Sequence, residues 1–95
     1  MVINIKPNSA LAAAFQTLGD PNRLRILAII GSRVCSVSEI VEATGLSQPL
    51  VSHHLRILRE RKLLDTKRQG PFIYYQLHDA GILEVIQQMV RSLKD

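Results

Sequence analysis

Four side chains near the middle of the sequence could hydrogen-bond to base edges from one side of a helix. They are an amide, a hydroxyl, an imidazole and a guanidinium, at Gln48, Ser52, His53 and Arg56. Gln can offer a bidentate amide to adenine and Arg a fork to guanine or phosphate, while Ser and His can bond to either. Steps of three or four residues place them, with Pro49, on one outward helix face. The pattern therefore indicates contact with DNA in the major groove.

Positive charge is concentrated in and just after this segment. From Arg56 to Arg68 there are six cations and two acids, whereas the rest of the chain has six of each. A basic segment on an otherwise neutral chain is typical of a protein that binds a polyanion, most often nucleic acid. The alternative is a solvated helix face with no partner.

Two predicted helices position the polar face. A helix capped by Ser47 and running to about Arg61 buries an apolar stripe at Val51, Leu55 and Leu58. The helix before it opens at Ser36 or Ser38, with Glu39 near its positive end, and stops at Gly45. Its predicted inward residues are Ile40, Val41 and Ala43. Two helices joined across so short a turn form a helix-turn-helix, whose second helix enters the major groove.

A hairpin is predicted to follow the second of these helices. The β-type runs 63–68 and 72–77 flank Gln69-Gly70-Pro71, so Lys67 and Arg68 project near its turn. Such a wing, with contacts at Lys67, Arg68, Gln69 and Gly70, can hold phosphates beside the groove. The alternative is that these cations only protect an exposed strand edge.

Three more helices complete the predicted elements. Asn8 or Ser9 caps a first helix that ends at Gly19, Asp20 with Pro21 opens a second, and Asp79 caps the last. The second helix is predicted to be almost wholly buried through Leu24, Ile26, Leu27, Ile29 and Ile30.

The last helix is apolar over more than one face. Together with the first helix it exposes side chains that a second copy of the chain could bury. The predicted dimer interface comprises Leu11, Phe15, Ile82, Ile86, Met89, Val90 and Leu93. The alternative is that these helices only complete the core of a monomer.

Length and composition set the class of protein. Ninety-five residues at 46% hydrophobic and 21% charged predict one domain over 1–95. No run approaches the roughly 20 apolar residues of a membrane helix, and no secretory apolar region is present, so we expect a cytoplasmic protein. Cys35 is the only cysteine, which excludes an internal disulfide and a thiolate cluster within one chain. Ser52 and His53 are helix neighbours that point in different directions, and no other nucleophile and base are suitably spaced, so an enzyme is not expected.

The segment GLSQPLVSHHLRILRERKLLDTKRQGPFIYYQL, with LGDPNRLRILAII before it, resembles the ArsR/SmtB family of winged-helix repressors. The resemblance implies a mainly α fold with a small β-hairpin: four helices, the hairpin and a fifth helix. It also implies a homodimer paired through its first and last helices, which binds a partly palindromic operator and releases it when an inducer binds. DNA contact is implied at Gln48, Pro49, Ser52 and His53 and at the wing, Lys67 to Gly70. Pro49 departs from the family, which often has a hydrogen-bonding side chain there.

The residues that sense metals in this family are not matched. Where many members carry a Cys-x-Cys pair, this chain has Ser36 and Ser38, with Cys35 displaced by one. Neutral hydroxyls do not replace thiolates as ligands for soft metals. The positions of the other familiar site, between the last helices, hold Asp79, Gly81, Ser92 and Asp95. Without a histidine these make a poor zinc site, so neither a metal nor another cofactor is expected, and the inducer stays open.

The remaining reactive side chains have structural and functional interpretations. His54 lies beside the buried stripe, where packing or hydrogen bonding is expected, and His78 is expected to be exposed. Cys35 is expected to be structural, with a redox or sulfur-species sensor as the alternative. For the whole chain, the competing hypothesis is a winged helix that binds only protein.

Overall fold

The computed structural model describes residues 1–95 and begins with two helices joined at a corner that consists of Gly19 and Asp20 alone. Helix α1 (Ala10–Leu18) is capped by Ser9, whose hydroxyl accepts from the Ala12 N–H at 3.1 Å. Helix α2 (Pro21–Ile30) is capped by Asp20, whose carboxylate accepts from Asn22 and Arg23 at 2.8 and 3.1 Å. The caps predicted at Ser9 and Asp20 are therefore confirmed.

The predicted helix-turn-helix is present. Helix α3 (Val37–Thr44) starts with a reciprocal capping box between Ser36 and Glu39. The hydrogen bonds from Ser36 hold the pKa of the Glu39 carboxyl below its ordinary value. Gly45, with φ 73°, ends α3, and Ser47 caps α4 (Gln48–Glu60). Only the three residues 45–47 separate the two helices. Local capping chemistry therefore sets the angle at which α4 leaves the turn.

The hairpin belongs to a three-stranded antiparallel sheet. Strands β2 (Leu64–Gln69) and β3 (Phe72–Leu77) pair from Leu64↔Leu77 to Gln69↔Phe72, so the turn is Gly70-Pro71 alone. The third strand, β1 (Cys35–Ser36), pairs with β3 and was not predicted. It joins the wing to the residues that start α3, which fixes the hairpin relative to the helix-turn-helix.

The core lies where α2, α3, α4 and the start of β2 meet. Its fully buried side chains include the predicted α4 stripe and are Ile26, Leu27, Ile30, Cys35, Ile40, Val51, Leu55, Leu58, Leu63 and Leu64. Two predictions of burial are wrong, since Ala43 is exposed and Leu24 is 37% exposed. Ile29 and Val41 are half-buried. In both helices the inward face is narrower than the apolar pattern indicated, because each packs against neighbours on one side only.

Helix α5 (Ala80–Leu93) is capped by Asp79 and has no fully buried residue. Ile82 and Ile86 pack against the edge of the core, whereas Met89 and Leu93 are 48% and 66% exposed. Leu11 and Phe15 on α1 are also about half exposed. No helix in the structure combines the length and the apolar character needed to cross a membrane.

Candidate nucleic-acid interface

Helix α4 separates cleanly into a buried and an exposed face. Val51, Leu55 and Leu58 are fully buried, which fixes the rotation of the helix about its own axis. The first two turns therefore present their polar side chains to solvent, as predicted. These exposed residues are Gln48, Pro49, Ser52, His53 and Arg56.

The exposed side chains form one continuous surface. Pro49, Ser52, His53 and Arg56 line a shallow open depression of about 310 Å³, and Gln48 precedes them at the first helical position. The first turn of α4 carries no acidic residue. The positive end of the helix dipole is therefore not neutralised by a carboxylate, which favours an anionic partner such as phosphate.

Arg56 has only weak partners within the chain. Its Nε atom lies 3.9 Å from a Glu60 carboxylate oxygen, and one Nη atom lies 3.5 Å from His53 Nδ1. All three side chains are exposed, and exposed pairs one turn apart contribute well under 1 kcal/mol, on the order of 0.3 to 0.5. A phosphate or guanine could displace these contacts at little cost.

The wing carries exposed cations on both of its faces. Lys67 pairs with Tyr74 on one face, and Arg68 pairs with Ile73 on the other. Gly70 has φ +59°, the left-handed conformation that a two-residue hairpin turn requires at this position. The four predicted wing residues, Lys67 to Gly70, are all exposed.

Both acids of the basic segment already contact a basic side chain. Glu60 faces Arg56, and Asp65 at the base of the wing lies 3.0 Å from His78 Nδ1. His78 is exposed as predicted, although its contact with Asp65 was not anticipated. Neither acid therefore lies at the tip of the wing, where Lys67 and Arg68 project.

A buried polar cluster lies behind α4. His54 is 5% exposed, and its Nδ1 atom lies 3.5 Å from an Arg23 Nη atom. Arg23 Nε donates to the Thr17 carbonyl at 2.7 Å. Burial lowers the pKa of the His54 imidazole; the Asp20 carboxylate opposes this, and the Arg23 and His53 charges add to it. The packing role expected for His54 holds, but its partner Arg23 is 31 residues away and no local pattern could reveal it.

Cys35, Ser36 and Asp79 each have a structural environment. Cys35 is 2% exposed, and burial raises the pKa of its thiol. The Ser36 hydroxyl accepts from the Glu39 N–H at 3.2 Å, and the Asp79 carboxylate accepts from the Gly81 N–H at 2.7 Å. Ser36 and Asp79 thus cap helices at two of the positions that the resemblance to the ArsR/SmtB family associates with metal ligands.

Comparison with known proteins identifies the family. The sequence profile described as "Bacterial regulatory protein, arsR family" matches residues 20–66, which include the whole helix-turn-helix. The transcriptional repressor SmtB homolog of Synechocystis is 30% identical over 94 residues, covering 99% of this chain and 71% of that protein. The transcriptional repressor SdpR of Bacillus subtilis is 33% identical over 79 residues, covering 83% of this chain and 88% of that protein. This chain belongs to the ArsR family.

The family assignment agrees with the fold. HlyU from Vibrio cholerae superimposes on this ArsR-family chain with a TM-score of 0.83 at 25% identity, over 96% of this chain and all of the other. The winged helix-turn-helix predicted from the sequence is therefore confirmed. As a member of this family the chain is a DNA-binding transcriptional regulator and not an enzyme.

Proposed function

We propose that this ArsR-family protein is a homodimeric repressor that acts in the cytoplasm on a partly palindromic operator. Residues 1–95 would form one unit that both binds DNA and dimerises. The observation that carries the proposal is the exposed polar face on the first two turns of α4, with a basic wing beside it. The major groove accommodates a helix whose N-terminal end carries polar side chains without strong partners within the chain.

Each residue of this face has a role that follows from its chemistry. Gln48 would pair with adenine and Ser52 and His53 with a base or phosphate, while Arg56 would leave Glu60 for guanine or phosphate. Pro49 has no donor and would contribute shape alone. The wing, Lys67 to Gly70, would hold the neighbouring phosphates and supply salt-dependent affinity.

The homodimer is supported by the apolar side chains that α1 and α5 leave exposed. A groove of about 460 Å³ between α1, α2 and α5 is lined mainly by such side chains, among them Phe15, Met89 and Leu93. A chain of this length buries only ~60 to 65% of its unfolded surface, so a second copy would add substantially to the core. The proposed interface is Leu11, Phe15, Ile82, Ile86, Met89, Val90 and Leu93.

A selection experiment tests the proposal. The wild-type protein is used to enrich duplexes from a random pool of about 30 base pairs, long enough for half-sites roughly 34 to 36 Å apart. The selected duplex should be a partial palindrome and should bind about a thousandfold tighter than random DNA at physiological salt. Equal affinity for selected and random duplexes would contradict the proposal and favour a winged helix that binds protein.

The wing is tested separately through the salt dependence. Arg68→Ala should weaken binding to selected and random duplexes alike, because the wing would then neutralise fewer phosphates. The slope of log affinity against log salt should become shallower by about 1 for each phosphate that the variant no longer binds. Arg91→Ala, an exposed arginine on α5, serves as the control and should leave the slope unchanged. An unchanged slope for Arg68→Ala would remove the wing from the proposed interface.

A further inference from the structure

Hydrogen bonds of the Arg23 side chain link the buried side of α4 through α2 to α1. His54 on α4 contacts Arg23 on α2, and Arg23 in turn binds the carbonyl of Thr17 on α1. The Thr17 hydroxyl donates to the Ala13 carbonyl at 2.8 Å, within α1. The contact between Arg23 and His54 is the only side-chain hydrogen bond that connects α4 to the corner between α1 and α2. The rest of the contact between α2 and α4 is made by buried apolar side chains of the core.

The charged and titratable groups around His54 come from two helices. Asp20 and Arg23 face it from the start of α2, and His53 adjoins it on α4 with ring centroids 5.5 Å apart. The Asp20 carboxylate accepts from the N–H groups of Asn22 and Arg23 at the N-terminus of α2 and does not hydrogen-bond to the His54 ring. Burial and the Arg23 charge outweigh the opposing Asp20 charge, so the pKa of His54 is lowered and the neutral ring is favoured.

The contact between Arg23 and His54 has a definite direction. Arginine only donates, so the Nδ1 atom of His54 must accept, which requires a neutral ring with its proton on Nε2. A proton on Nδ1 would place a second cation and a second donor against the guanidinium. At 3.5 Å the contact is at the long end of hydrogen bonding, so repulsion would open it readily.

We propose that His54 is a positioning residue for the DNA-binding surface. In its neutral form it accepts a hydrogen bond from Arg23, and this bond holds α4 at a fixed angle to the α1–α2 corner. Protonation of His54 breaks the bond and allows the angle to change. His53 is one residue away and its ring is exposed, so any tilt of α4 moves the residues that face DNA. The inference rests on the proposed DNA contact through α4. It predicts that the affinity for DNA depends on the protonation of His54, a residue that does not itself contact DNA.

The proposal predicts the sign of the pH dependence. Protonated His54 would weaken DNA binding, because the helix angle is no longer held, so the affinity should fall as the pH is lowered. A cation added directly to a phosphate-binding surface would have the opposite effect and would strengthen binding.

The test measures affinity for the selected duplex of about 30 base pairs at about pH 7.5 and about pH 5, the lower pH lying well below the ordinary histidine pKa because burial lowers the pKa of His54. For the wild type we expect affinity to fall at the lower pH by about 5- to 150-fold, the usual range of coupling between two sites. His54→Asn retains an acceptor at the position of Nδ1, where Arg23 makes its contact, but does not titrate. Its affinity should therefore match the wild type at the higher pH and should not fall at the lower one. His53→Gln and the wing-base control His78→Gln should retain the fall. An equal fall in His54→Asn and the wild type would overturn the proposal.

A second measurement keeps the proposal testable if His54→Asn does not fold. The pKa of His54 is followed by nuclear magnetic resonance of the wild-type histidines, with and without the selected duplex. Because coupling is reciprocal, DNA should lower the pKa of His54 by about one unit for each tenfold by which protonation of His54 weakens DNA binding. A pKa unchanged by DNA would contradict the inference. Wild-type protein that binds the selected duplex no better than random DNA at either pH would instead contradict the proposed function.

Discussion

At the scale of single residues, Gln48 is the side chain best placed to distinguish one base from another. It is exposed at the first helical position of α4, and none of its side-chain atoms is hydrogen-bonded within the chain. A side-chain amide can pair with both N6 and N7 of adenine, which other bases do not match. Gln48→Ala should therefore cost about 1 to 3 kcal/mol on the selected duplex and relax the preference at one position in each half-site.

Repeating the selection with the variant checks this prediction. Gln87→Ala on α5 removes the same exposed amide far along the chain from α4 and should leave both affinity and preference unchanged. If Gln48→Ala weakened binding to random DNA as much as to the selected duplex, Gln48 would be a phosphate contact and would carry no sequence information.

Asp20 gives the stability of the fold a dependence on pH. Partial burial alone would raise the pKa of its carboxyl, but the N–H groups of Arg23 and Asn22 and the Arg23 charge outweigh this and lower the pKa. The folded state therefore favours the ionised carboxylate. The resulting stability is fully present above the ordinary pKa of aspartate, about 3.9, and is lost as the pH falls through the lower folded value.

Asp20→Asn isolates the charge, since asparagine caps a helix about as well as aspartate. At neutral pH the variant should be less stable by about 0.3 to 1 kcal/mol, the usual contribution of a carboxylate at a helix N-terminus. In urea unfolding at one protein concentration, the difference from wild type should shrink as the pH is lowered below about 4. A difference that stays constant over this range would show that the Asp20 charge does not stabilise the fold.

At the scale of the elements, the turn between α3 and α4 decides where α4, the helix proposed to face DNA, begins. Gly45 has φ 73°, and an added Cβ would meet no atom within 4 Å. Glycine is therefore favoured at this position by the backbone conformation and not by a lack of space for a side chain. The next residue, Leu46, donates its N–H to the Thr44 hydroxyl at 3.2 Å, which holds the turn.

Gly45→Ala should destabilise the protein by about 1 kcal/mol, the cost of a left-handed conformation for a residue with a Cβ. Gly45→Asn should be destabilised less, because asparagine adopts this conformation more readily. Thermal or urea unfolding of the two variants tests the order. Equal stability of Gly45→Ala and the wild type would mean that the turn relaxes to another conformation.

The elements that the sequence predicts well are those fixed by neighbours along the chain. Caps at Ser9, Asp20, Ser47 and Asp79 involve atoms two or three residues apart, so the residue types alone identify them. The hairpin turn and the outward face of α4 follow from local periodicity in the same way.

The features that the sequence did not predict depend on distant partners. Strand β1 has only two residues and exists because it pairs with Tyr74 and Tyr75, almost forty positions later. The contact between Arg23 and His54 likewise joins segments 31 residues apart. Leu24 and Ala43 have apolar side chains at helical spacing, yet neighbouring elements cover Leu24 only in part and leave Ala43 exposed. Periodicity indicates which face can be buried and cannot show how far a neighbour extends over it.

At the scale of the whole molecule, helices α1 and α5 leave a set of apolar side chains exposed. Leu11, Phe15, Val85, Met89 and Leu93 are each 45 to 66% exposed. An apolar face shared by two helices is typical of a protein–protein interface, and a two-fold dimer would let each copy cover the other. Two copies would also present two α4 helices to one duplex, which a partial palindrome requires.

Charges placed on this face should separate the copies. Ile82 and Ile86 also pack against the core, so substitution there would disturb the fold, whereas Met89 and Leu93 are mostly free of it. We expect Met89→Glu with Leu93→Glu to sediment as a monomer with unchanged helical circular dichroism. Each monomer would contact one half-site only, so affinity for the selected duplex should fall towards that for random DNA. Gln87→Glu adds the same charge at an exposed polar position of α5 and should remain dimeric. A double variant that still sediments as a dimer would place the subunit contact on another surface.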